Sequence, residues 1–299
     1  MNIARPKLEA TYKEVLANFN ASNFARQYGM NLPPNPLHLF EAQQILLRLP
    51  EGGTVLDVGT GAGLIPHLLH RLGVKVISMD SRTTAGEEAL DRLIQLGIQG
   101  HFVHVGEEPV PIPDESVDVV FAGNVIEHQT HSPKRFMEDL WRALKYEGHI
   151  VIDTKNAVDL KTRLKLLAGI SNWPTLNGIF FHDFNFYHHK EYTLLELTEL
   201  LKLSGFTDVQ GIALEVFFRK SLKRLGTLRA MGAKPEDLSE FGTGFNFRHP
   251  YEYARLILFT ITYLFPNMRS DILAVGRKAC AGRGISSDQP RSQAILEPL

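Results

Sequence analysis

The sequence predicts a doubly wound α/β fold in which helices cover both faces of a mostly parallel, seven-stranded sheet. Two observations support this prediction. Short apolar strands alternate with helical segments between residues 54 and 154, and such spacing requires crossover connections between parallel strands. The 299 residues are 44% hydrophobic and 22% charged, which is the composition of an ordinary globular protein with a full core.

The predicted elements follow in a regular order. Strand TVLDV is followed by helix IPHLLHRL, strand KVISMD, helix AGEEALDRLIQL, strand HFVHV, strand VDVVFAG, helix PKRFMEDLWRAL and strand HIVIDT. After residue 190, LLELTELLKLSGF is predicted as a helix, and TDVQGIALEVFF and SDILAVGRKA as two further strands. The last strand is expected to run antiparallel to the others.

These patterns divide the chain into four parts. Residues 1–50 are expected to form a helical cap, which is interrupted by the proline-rich stretch NLPPNP. Residues 51–216 together with 267–280 form the α/β domain. Residues 217–266 form a helical insertion before the last strand, and residues 281–299, rich in Gly, Ser, Pro and Gln, form a disordered tail.

Charge and cysteine content exclude several classes of protein. The formal net charge is −1, so the chain has no global positive field to attract nucleic acid, and no nucleic-acid partner is expected. The single cysteine, Cys280, excludes an internal disulfide framework. The first residues contain no apolar signal-peptide core, and LILFTITYLF is shorter than the roughly 18 apolar residues of a membrane span. A cytoplasmic location is therefore predicted.

Three glycines at alternate positions follow the first strand, in DVGTGAG. A dinucleotide-binding turn has the spacing G-x-G-x-x-G, whereas Leu64 occupies the third glycine position here and Gly63 comes one residue early. A P-loop would need a Gly-Lys-Ser/Thr sequence, which does not follow. Both the dehydrogenase and the nucleoside-triphosphatase interpretations are therefore disfavoured.

The spacing D-x-G-x-G-x-G after a strand resembles motif I of the class I S-adenosylmethionine-dependent methyltransferases. The resemblance implies a Rossmann-like sheet with S-adenosylmethionine as cofactor. It also implies cofactor contacts from the first-strand turn, namely Asp57, Gly59, Thr60, Gly61 and Gly63. Glycines without a Cβ let the backbone approach the ligand closely, and Asp57 offers an anionic partner for its amino group.

An acidic residue also ends the second strand. Asp80, followed by Ser81, lies 21 residues after Gly59, where a carboxylate can accept both ribose hydroxyls of a nucleoside ligand. Dehydrogenases share this feature, and a helix-capping or solvated carboxylate is the alternative.

Further segments resemble the same family over residues 52–156. VGEEPVPIPDESVDVVFAGNVIEH is similar to its third-strand turn and fourth strand, and LKYEGHIVIDT to its entry into the fifth strand. The resemblance implies that Glu107 lies near the adenine amino group and that Asn124 lines the cofactor. Tyr146 and Glu147 replace the family's usual Pro-Gly.

Four histidines are candidates for the general base of methyl transfer. His128 follows the fourth strand, and His182, His188 and His189 lie in FFHDFNFYHHKEYT; an imidazole with a pKa of about 6.5 suits proton removal near neutral pH. His128 could equally brace the cofactor loop. The histidines show no fixed metal-ligand spacing, so no metal is predicted, and a hydrogen-bonded loop that closes over substrate is the favoured interpretation.

The later part of the chain bears on the methyl acceptor. The histidine segment with the helix after it is similar to ubiquinone-biosynthesis O-methyltransferases, which implies a hydroxyl on a small or lipid-linked molecule such as a sugar, quinol or secondary metabolite. The insertion carries the basic residues Arg219, Lys220, Lys223, Arg224 and Arg229 without an acid among them. It is expected either to roof the pocket or to make peripheral contact with a membrane. A catalytically silent S-adenosylmethionine-binding protein and an N- or C-methyltransferase remain alternatives.

Overall fold

The computed structural model describes residues 3–82, 84–172, 180, 188–216 and 250–279. Seven strands form one sheet in the order β3-β2-β1-β4-β5-β7-β6. The strands are β1 (Thr54–Val58), β2 (Lys75–Asp80), β3 (Gln99–Phe102), β4 (Val117–Gly123), β5 (Leu144–Lys155), β6 (Thr207–Leu214) and β7 (Asp271–Arg277).

Nine α-helices lie within the described part of the chain. They are α1 (Arg5–Asn20), α2 (Asn23–Gln27), α3 (Pro36–Arg48), α4 (Leu64–Arg71), α5 (Thr84–Gln95), α6 (Pro133–Ala143), α7 (Leu160–Leu167), α8 (Leu194–Leu203) and α9 (Pro250–Leu264).

The strand directions confirm the predicted doubly wound sheet. Strands β1 to β5 pair in parallel with their neighbours, whereas β7 is antiparallel to both β5 and β6. The predicted antiparallel last strand is thus confirmed. Because β1 and β4 are adjacent, their carboxyl ends meet near the centre of one sheet edge, the place where open α/β sheets bind ligands.

Side chains of β1 show how helices cover both faces of the sheet. Val55 packs into one buried cluster with α1, α3, α4 and α5, and Leu56 and Val58 pack into the opposite cluster with α6 and α8. All three are 0% exposed. Alternate residues of a strand point to opposite faces, so an uninterrupted apolar run is what a strand buried on both faces requires.

The N-terminal helices pack onto the first of these faces. Tyr12 and Phe19 of α1 and Phe40 and Ile45 of α3 are buried in the same cluster as the sheet residues. Helix α3 begins with Pro36, and the Asn35 side chain accepts the backbone N–H of Leu37 at 3.1 Å, an N-terminal cap that the break in NLPPNP provides. Helices α1 and α3 therefore share a core with the sheet.

Two strand boundaries differ from the sequence prediction. The third strand, predicted over residues 101–105, occupies Gln99–Phe102, because the chain turns at His104, whose carbonyl accepts the N–H of Glu107 at 3.0 Å. The fifth strand begins at Leu144 rather than at His149, since its pairing with β4 contains a register shift between Val117 and Val119.

Several predictions fall on residues outside the described ranges. They concern His182, the basic residues of the insertion, Cys280 and the tail 281–299. Within the ranges that are described, none of the helices has the length and apolarity needed to cross a membrane.

Candidate functional site

The turn after β1 is built from glycines in the left-handed region of backbone space. Gly59, Gly61 and Gly63 have φ values of 72°, 52° and 69°. A Cβ on Gly59 would overlap the Val125 side chain, whereas a Cβ on Gly61 would meet nothing nearer than the Gly59 carbonyl oxygen at 3.9 Å. Gly59 is thus required by close packing, and Gly61 turns its bare backbone toward open space.

Asp57 lies at the base of this turn. Its side chain is only 2% exposed, and its Oδ2 accepts a hydrogen bond from the Thr60 hydroxyl at 2.9 Å. Burial raises the pKa of the Asp57 carboxyl to about 7. A positively charged ligand group nearby would favour the ionised form, which is what an anionic partner for an amino group requires.

Asp80 ends β2 and holds the glycine turn from the neighbouring strand. Its Oδ2 accepts the backbone N–H of Gly61 at 2.9 Å, and its Oδ1 accepts that of Ser81 at 2.7 Å. Burial raises the pKa of this carboxyl. Asp80 therefore braces the turn, a role additional to the predicted contact with ribose hydroxyls.

Asn124 follows β4 with a left-handed φ of 53°. Its backbone N–H donates to the Asp153 carbonyl oxygen at 2.9 Å, and its Nδ2 donates to the Asp153 Oδ2 at 3.0 Å. Asp153 is fully buried, and burial raises its pKa well above the usual range of a carboxyl. The predicted site residue Asn124 is thus held in place by Asp153, which sequence reasoning did not single out.

Most of these residues line one cavity of about 430 Å³, but the predicted cofactor residues Gly63, Asp80 and Ser81 are not among its lining residues. The glycine turn with Asp57, and the β4 end with Asn124, form part of its wall. The segment 32–41, which includes α3's first residues, forms another part, together with Lys155 and Val216. The structure therefore adds N-terminal residues to the site, which the sequence pattern around the glycine turn did not indicate.

His38 is the first of these added residues. The Tyr12 hydroxyl lies 3.0 Å from its Nδ1 and accepts the Asn35 backbone N–H at 2.9 Å. Burial lowers the pKa of His38 to about 4 and raises that of Tyr12 to about 12, so the ring is neutral and the phenol protonated at pH 7. The arrangement that satisfies all three groups has Tyr12 donating to Nδ1, which leaves the ring proton on Nε2 as a donor.

Glu41 and Lys155 complete the polar wall added by the structure. Glu41 lies one turn after His38 on α3 and is 3% exposed. Lys155, at the end of β5, is half-exposed and forms an ion pair with the buried Asp271. Burial, with a further contribution from the negative charge of Asp271, raises the pKa of Glu41 to about 8.

Three of the four candidate histidines lie together at a second place, beside the short 3₁₀ turn Ile126–His128. The rings of His128 and His188 contact edge to face at a centroid distance of 4.9 Å, and the His189 backbone N–H donates to the Glu127 carbonyl oxygen at 2.7 Å. His188 Nδ1 is 3.1 Å from Glu191 Oε1, and this hydrogen bond raises the pKa of His188. His128, His188 and His189 are not among the residues that line the 430 Å³ cavity.

Glu127 lies beneath these histidines. It is 0% exposed, and neither of its carboxyl oxygens has a hydrogen-bond partner among the described residues. Burial raises the pKa of the Glu127 carboxyl. One ligand atom from each of Glu127, His128 and His188 lies within 4.8 Å of the others, a grouping that the sequence spacing did not indicate because His188 comes from a distant segment. The absence of a metal stays a prediction.

Glu107 lies apart from the glycine turn. It lines a second cleft, of about 620 Å³, with His131 and Lys134, and its Oε1 accepts the Thr130 hydroxyl at 3.1 Å. Its predicted contact with the adenine amino group stays a prediction.

Comparison with known sequences identifies the central part of the chain. Residues 56–152 match the family described as "Methyltransferase domain". The mitochondrial ubiquinone biosynthesis O-methyltransferase of Mus musculus is 32% identical over 133 residues, which are 43% of this chain and 34% of the relative. A probable S-adenosylmethionine-dependent methyltransferase of Mycolicibacterium smegmatis is 28% identical over 163 residues, 54% of this chain and 55% of the relative. The match thus spans between about a third and just over half of these relatives' length.

Solved structures agree in fold. A SAM-dependent methyltransferase from Archaeoglobus fulgidus matches with a TM-score of 0.51 at 18% identity, over 80% of this chain and 93% of that one. Phosphoethanolamine N-methyltransferase 2 of Haemonchus contortus, in complex with phosphomonomethylethanolamine and S-adenosylhomocysteine, matches with a TM-score of 0.51 at 18% identity, over 90% of this chain and 60% of that one. At this level of identity the likeness concerns the fold.

Proposed function

We infer that this chain, which carries a class I S-adenosylmethionine-dependent methyltransferase domain, transfers a methyl group to a hydroxyl of a small or lipid-linked acceptor. One observation carries the inference: a single cavity of about 430 Å³ joins the glycine turn to a second set of polar side chains from α3 and β5. A methyl-transfer site needs both halves, since the donor and the acceptor must be held against each other for an in-line displacement.

The residues of the turn fit the cofactor. Gly61 presents bare backbone to the cavity, where any side chain would fill the space. Asp57 supplies a buried carboxyl for the amino group of the amino-acid portion. The turn contains no basic residue, which suits a sulfonium nucleoside that carries no phosphate. When bound, S-adenosylmethionine supplies an electrophilic methyl group.

The remaining lining residues suit an acceptor with both apolar and hydroxyl parts. Leu37, Ile65, Phe121 and Val216 supply apolar surface, while the neutral His38 ring, with Tyr12 donating to its Nδ1, keeps a proton on Nε2 for an acceptor oxygen. Such a combination binds an oxygen-bearing molecule of limited polarity, and the similarity to ubiquinone biosynthesis O-methyltransferases supports a hydroxyl acceptor. Quinols, sugars and hydroxylated secondary metabolites are the proposed classes.

The proposal is tested by a product assay with radiolabelled methyl groups. The purified chain is incubated with methyl-labelled S-adenosylmethionine and, separately, with quinols, sugars and hydroxylated aromatic compounds, and both labelled product and S-adenosylhomocysteine are measured. Stoichiometric formation of an O-methylated product supports the proposal. Labelled amine or carbon products would replace it with N- or C-methylation, and cofactor binding without product from any class would favour a catalytically silent binding protein.

Contact with a lipid surface through residues 217–266 is a further part of the proposal. Two large apolar side chains of α9 and that of the residue after it support it, because Ile257, Leu264 and Phe265 are 60%, 63% and 53% exposed. The test is sedimentation with vesicles of neutral or anionic lipid. Membrane contact is supported if the chain sediments with anionic vesicles and the double change Leu264→Ser with Phe265→Ser abolishes this binding. It is contradicted if the same amount of protein stays in the supernatant with and without vesicles.

A further inference from the structure

Glu41 is a buried carboxyl group that faces the cavity from α3. It is 3% exposed and belongs to the cavity wall. A ligand that occupies the cavity would therefore lie against this carboxyl and could serve as its hydrogen-bond partner.

The position of Glu41 along the sheet separates it from the predicted ribose partner, Asp80. Its electrostatic neighbours are Asp271 on β7, Lys155 on β5 and Asp57 on β1, and it also acts on Asp153 of β5. Asp80, the predicted ribose partner, lies on β2, on the other side of β1 in the strand order. Glu41 thus lies on the β5 side of β1, whereas Asp80 lies on the β2 side.

The groups around Glu41 carry both signs of charge. The negative charges that interact with it are those of the Asp57, Asp153 and Asp271 carboxyl groups, and the positive charge that interacts with it is that of Lys155. The Lys155 ammonium is already engaged with Asp271, and His38, on the preceding turn of α3, is neutral at pH 7. Excess negative charge favours the protonated carboxyl, and a cationic ligand would favour its ionisation.

We propose that Glu41 is a catalytic residue of the transfer reaction, facing the reacting centre and accepting the proton of the acceptor's hydroxyl. This inference rests on the proposed function. It replaces the histidines of the 128–189 cluster as base, because His128, His188 and His189 do not line the cavity whereas Glu41 does.

A lone pair of the acceptor oxygen forms the new C–O bond as the S–C bond breaks and its electrons remain on sulfur. The hydroxyl proton passes to a Glu41 carboxylate oxygen, and Glu41 later releases that proton to water. A carboxylate whose proton affinity is raised toward the working pH is a more effective base than an exposed one.

The first test needs no acceptor, because it compares two ligands that differ by the charge on sulfur. The sulfur of S-adenosylmethionine is a positively charged sulfonium, whereas the sulfur of S-adenosylhomocysteine is a neutral thioether. Calorimetric titration of both ligands from pH 6 to pH 9 gives the ratio of their affinities. If Glu41 faces the sulfonium, ionisation of Glu41 strengthens S-adenosylmethionine binding selectively, on the order of tenfold for one unit of pKa shift.

Glu41→Gln is the deciding variant, since it keeps the shape and removes the charge. The ratio of S-adenosylmethionine affinity to S-adenosylhomocysteine affinity should rise with pH in the unmodified chain. We expect this rise to be on the order of tenfold larger than in Glu41→Gln. The amino groups of the two ligands titrate in the same way whether the unmodified chain or Glu41→Gln is present. The difference between the two proteins therefore reports the ionisation of Glu41. Glu14→Gln, on the exposed face of α1, is the matched control and should follow the unmodified chain.

The outcomes separate the two inferences. If both ligands bind and the ratio changes equally with pH in the unmodified chain and in Glu41→Gln, Glu41 does not face the reacting centre and this inference is wrong. If neither ligand binds, the proposed function fails and takes the inference with it. Should Glu41→Gln not fold, an affinity ratio that is constant from pH 6 to pH 9 in the unmodified chain overturns the inference on its own.

A second test addresses proton removal, with catechol as the probe acceptor. We expect Glu41→Gln to lower kcat/KM on the order of 10²-fold or more, to change the KM for S-adenosylmethionine less than threefold, and to remove the rise of rate with pH. If Glu41→Gln only raises the KM and leaves the pH profile unchanged, Glu41 is a binding residue, and its role as base is contradicted. If catechol is not methylated, the affinity-ratio test decides.

Discussion

The backbone N–H of Gly61 donates to the Asp80 carboxylate at 2.9 Å, so the acid at the end of β2 holds the glycine turn that follows β1. Two strands therefore cooperate in shaping one wall of the cavity. Asp80 keeps Gly61 in its left-handed conformation, with the bare Cα turned to open space. The two motifs that are separate in sequence thus act as one structural unit.

Gly61→Val should abolish cofactor binding. The added side chain occupies the cavity, so affinity for S-adenosylhomocysteine should fall at least on the order of 10²-fold, as measured by calorimetry. Gly73→Val is the control, because Gly73 also has a left-handed φ of 84° with open space around it but lies after α4, outside the cavity wall. Both variants should lose similar stability through backbone strain. Equal cofactor affinity in the two variants would contradict the placement of the site.

Asp80→Asn should weaken the binding of S-adenosylmethionine and of S-adenosylhomocysteine by the same factor. We expect a loss of affinity on the order of tenfold, which corresponds to about 1.4 kcal/mol. The amide keeps one acceptor oxygen for either the Gly61 or the Ser81 N–H, but lacks the charge that favours ribose hydroxyl donors. The matching control is Asp114→Asn, an exposed carboxylate in a loop away from the cavity. Unchanged affinity in Asp80→Asn would mean that the carboxylate only braces the turn.

Glu41→Gln should stabilise the fold selectively at high pH. The folded-state pKa of about 8 lies above the unfolded value of about 4.3, so the folded chain binds the extra proton and its stability falls as pH rises from about 4 to 8. The free energy of unfolding of the variant, relative to the unmodified chain, should therefore increase between pH 5 and pH 9 by about 4 kcal/mol. Urea denaturation at both pH values measures it.

A pH-independent difference between Glu41→Gln and the unmodified chain would show that Glu41 ionises normally. Glu14→Gln provides the reference for a solvent-exposed carboxyl and should show no pH-dependent difference of this size.

Tyr12→Phe should destabilise the N-terminal wall of the cavity. The change removes the hydroxyl that lies 3.0 Å from His38 Nδ1 and accepts the Asn35 N–H, which leaves two polar groups unpaired at a cost of about 1–3 kcal/mol. Denaturant unfolding gives the difference, and Tyr263→Phe, whose side chain is 50% exposed, should change stability by less than about 0.5 kcal/mol. Equal effects of the two changes would rule out a structural role for the Tyr12 hydroxyl.

The sequence predicts the sheet well because its signals are local. The apolar runs of β1 and β4 and the glycines after β1 each depend on a few adjacent residues, and so the mostly parallel, seven-stranded sheet and the antiparallel β7 could be predicted. The bounds of β3 and β5 could not, since they depend on the turn at His104 and on the register shift opposite β4.

The site is less predictable because half of it comes from distant residues. Tyr12 and His38 are 26 positions apart, and Asn124 and Asp153 are 29 apart, so neither pair shows as a motif. Glu41 appears in the sequence as an ordinary charged position on an amphipathic helix, where a solvated carboxylate is the usual expectation. Only the packing of α3 against the sheet reveals that it is buried beside the glycine turn.

Calorimetric titration of the purified chain with S-adenosylmethionine, S-adenosylhomocysteine and NAD in parallel tests whether the 430 Å³ cavity is a cofactor site. We predict one-to-one binding of both sulfur nucleosides with dissociation constants on the order of micromolar, corresponding to about −8 kcal/mol, and no binding of NAD. Binding of NAD alone, or of none of the three, would contradict the account.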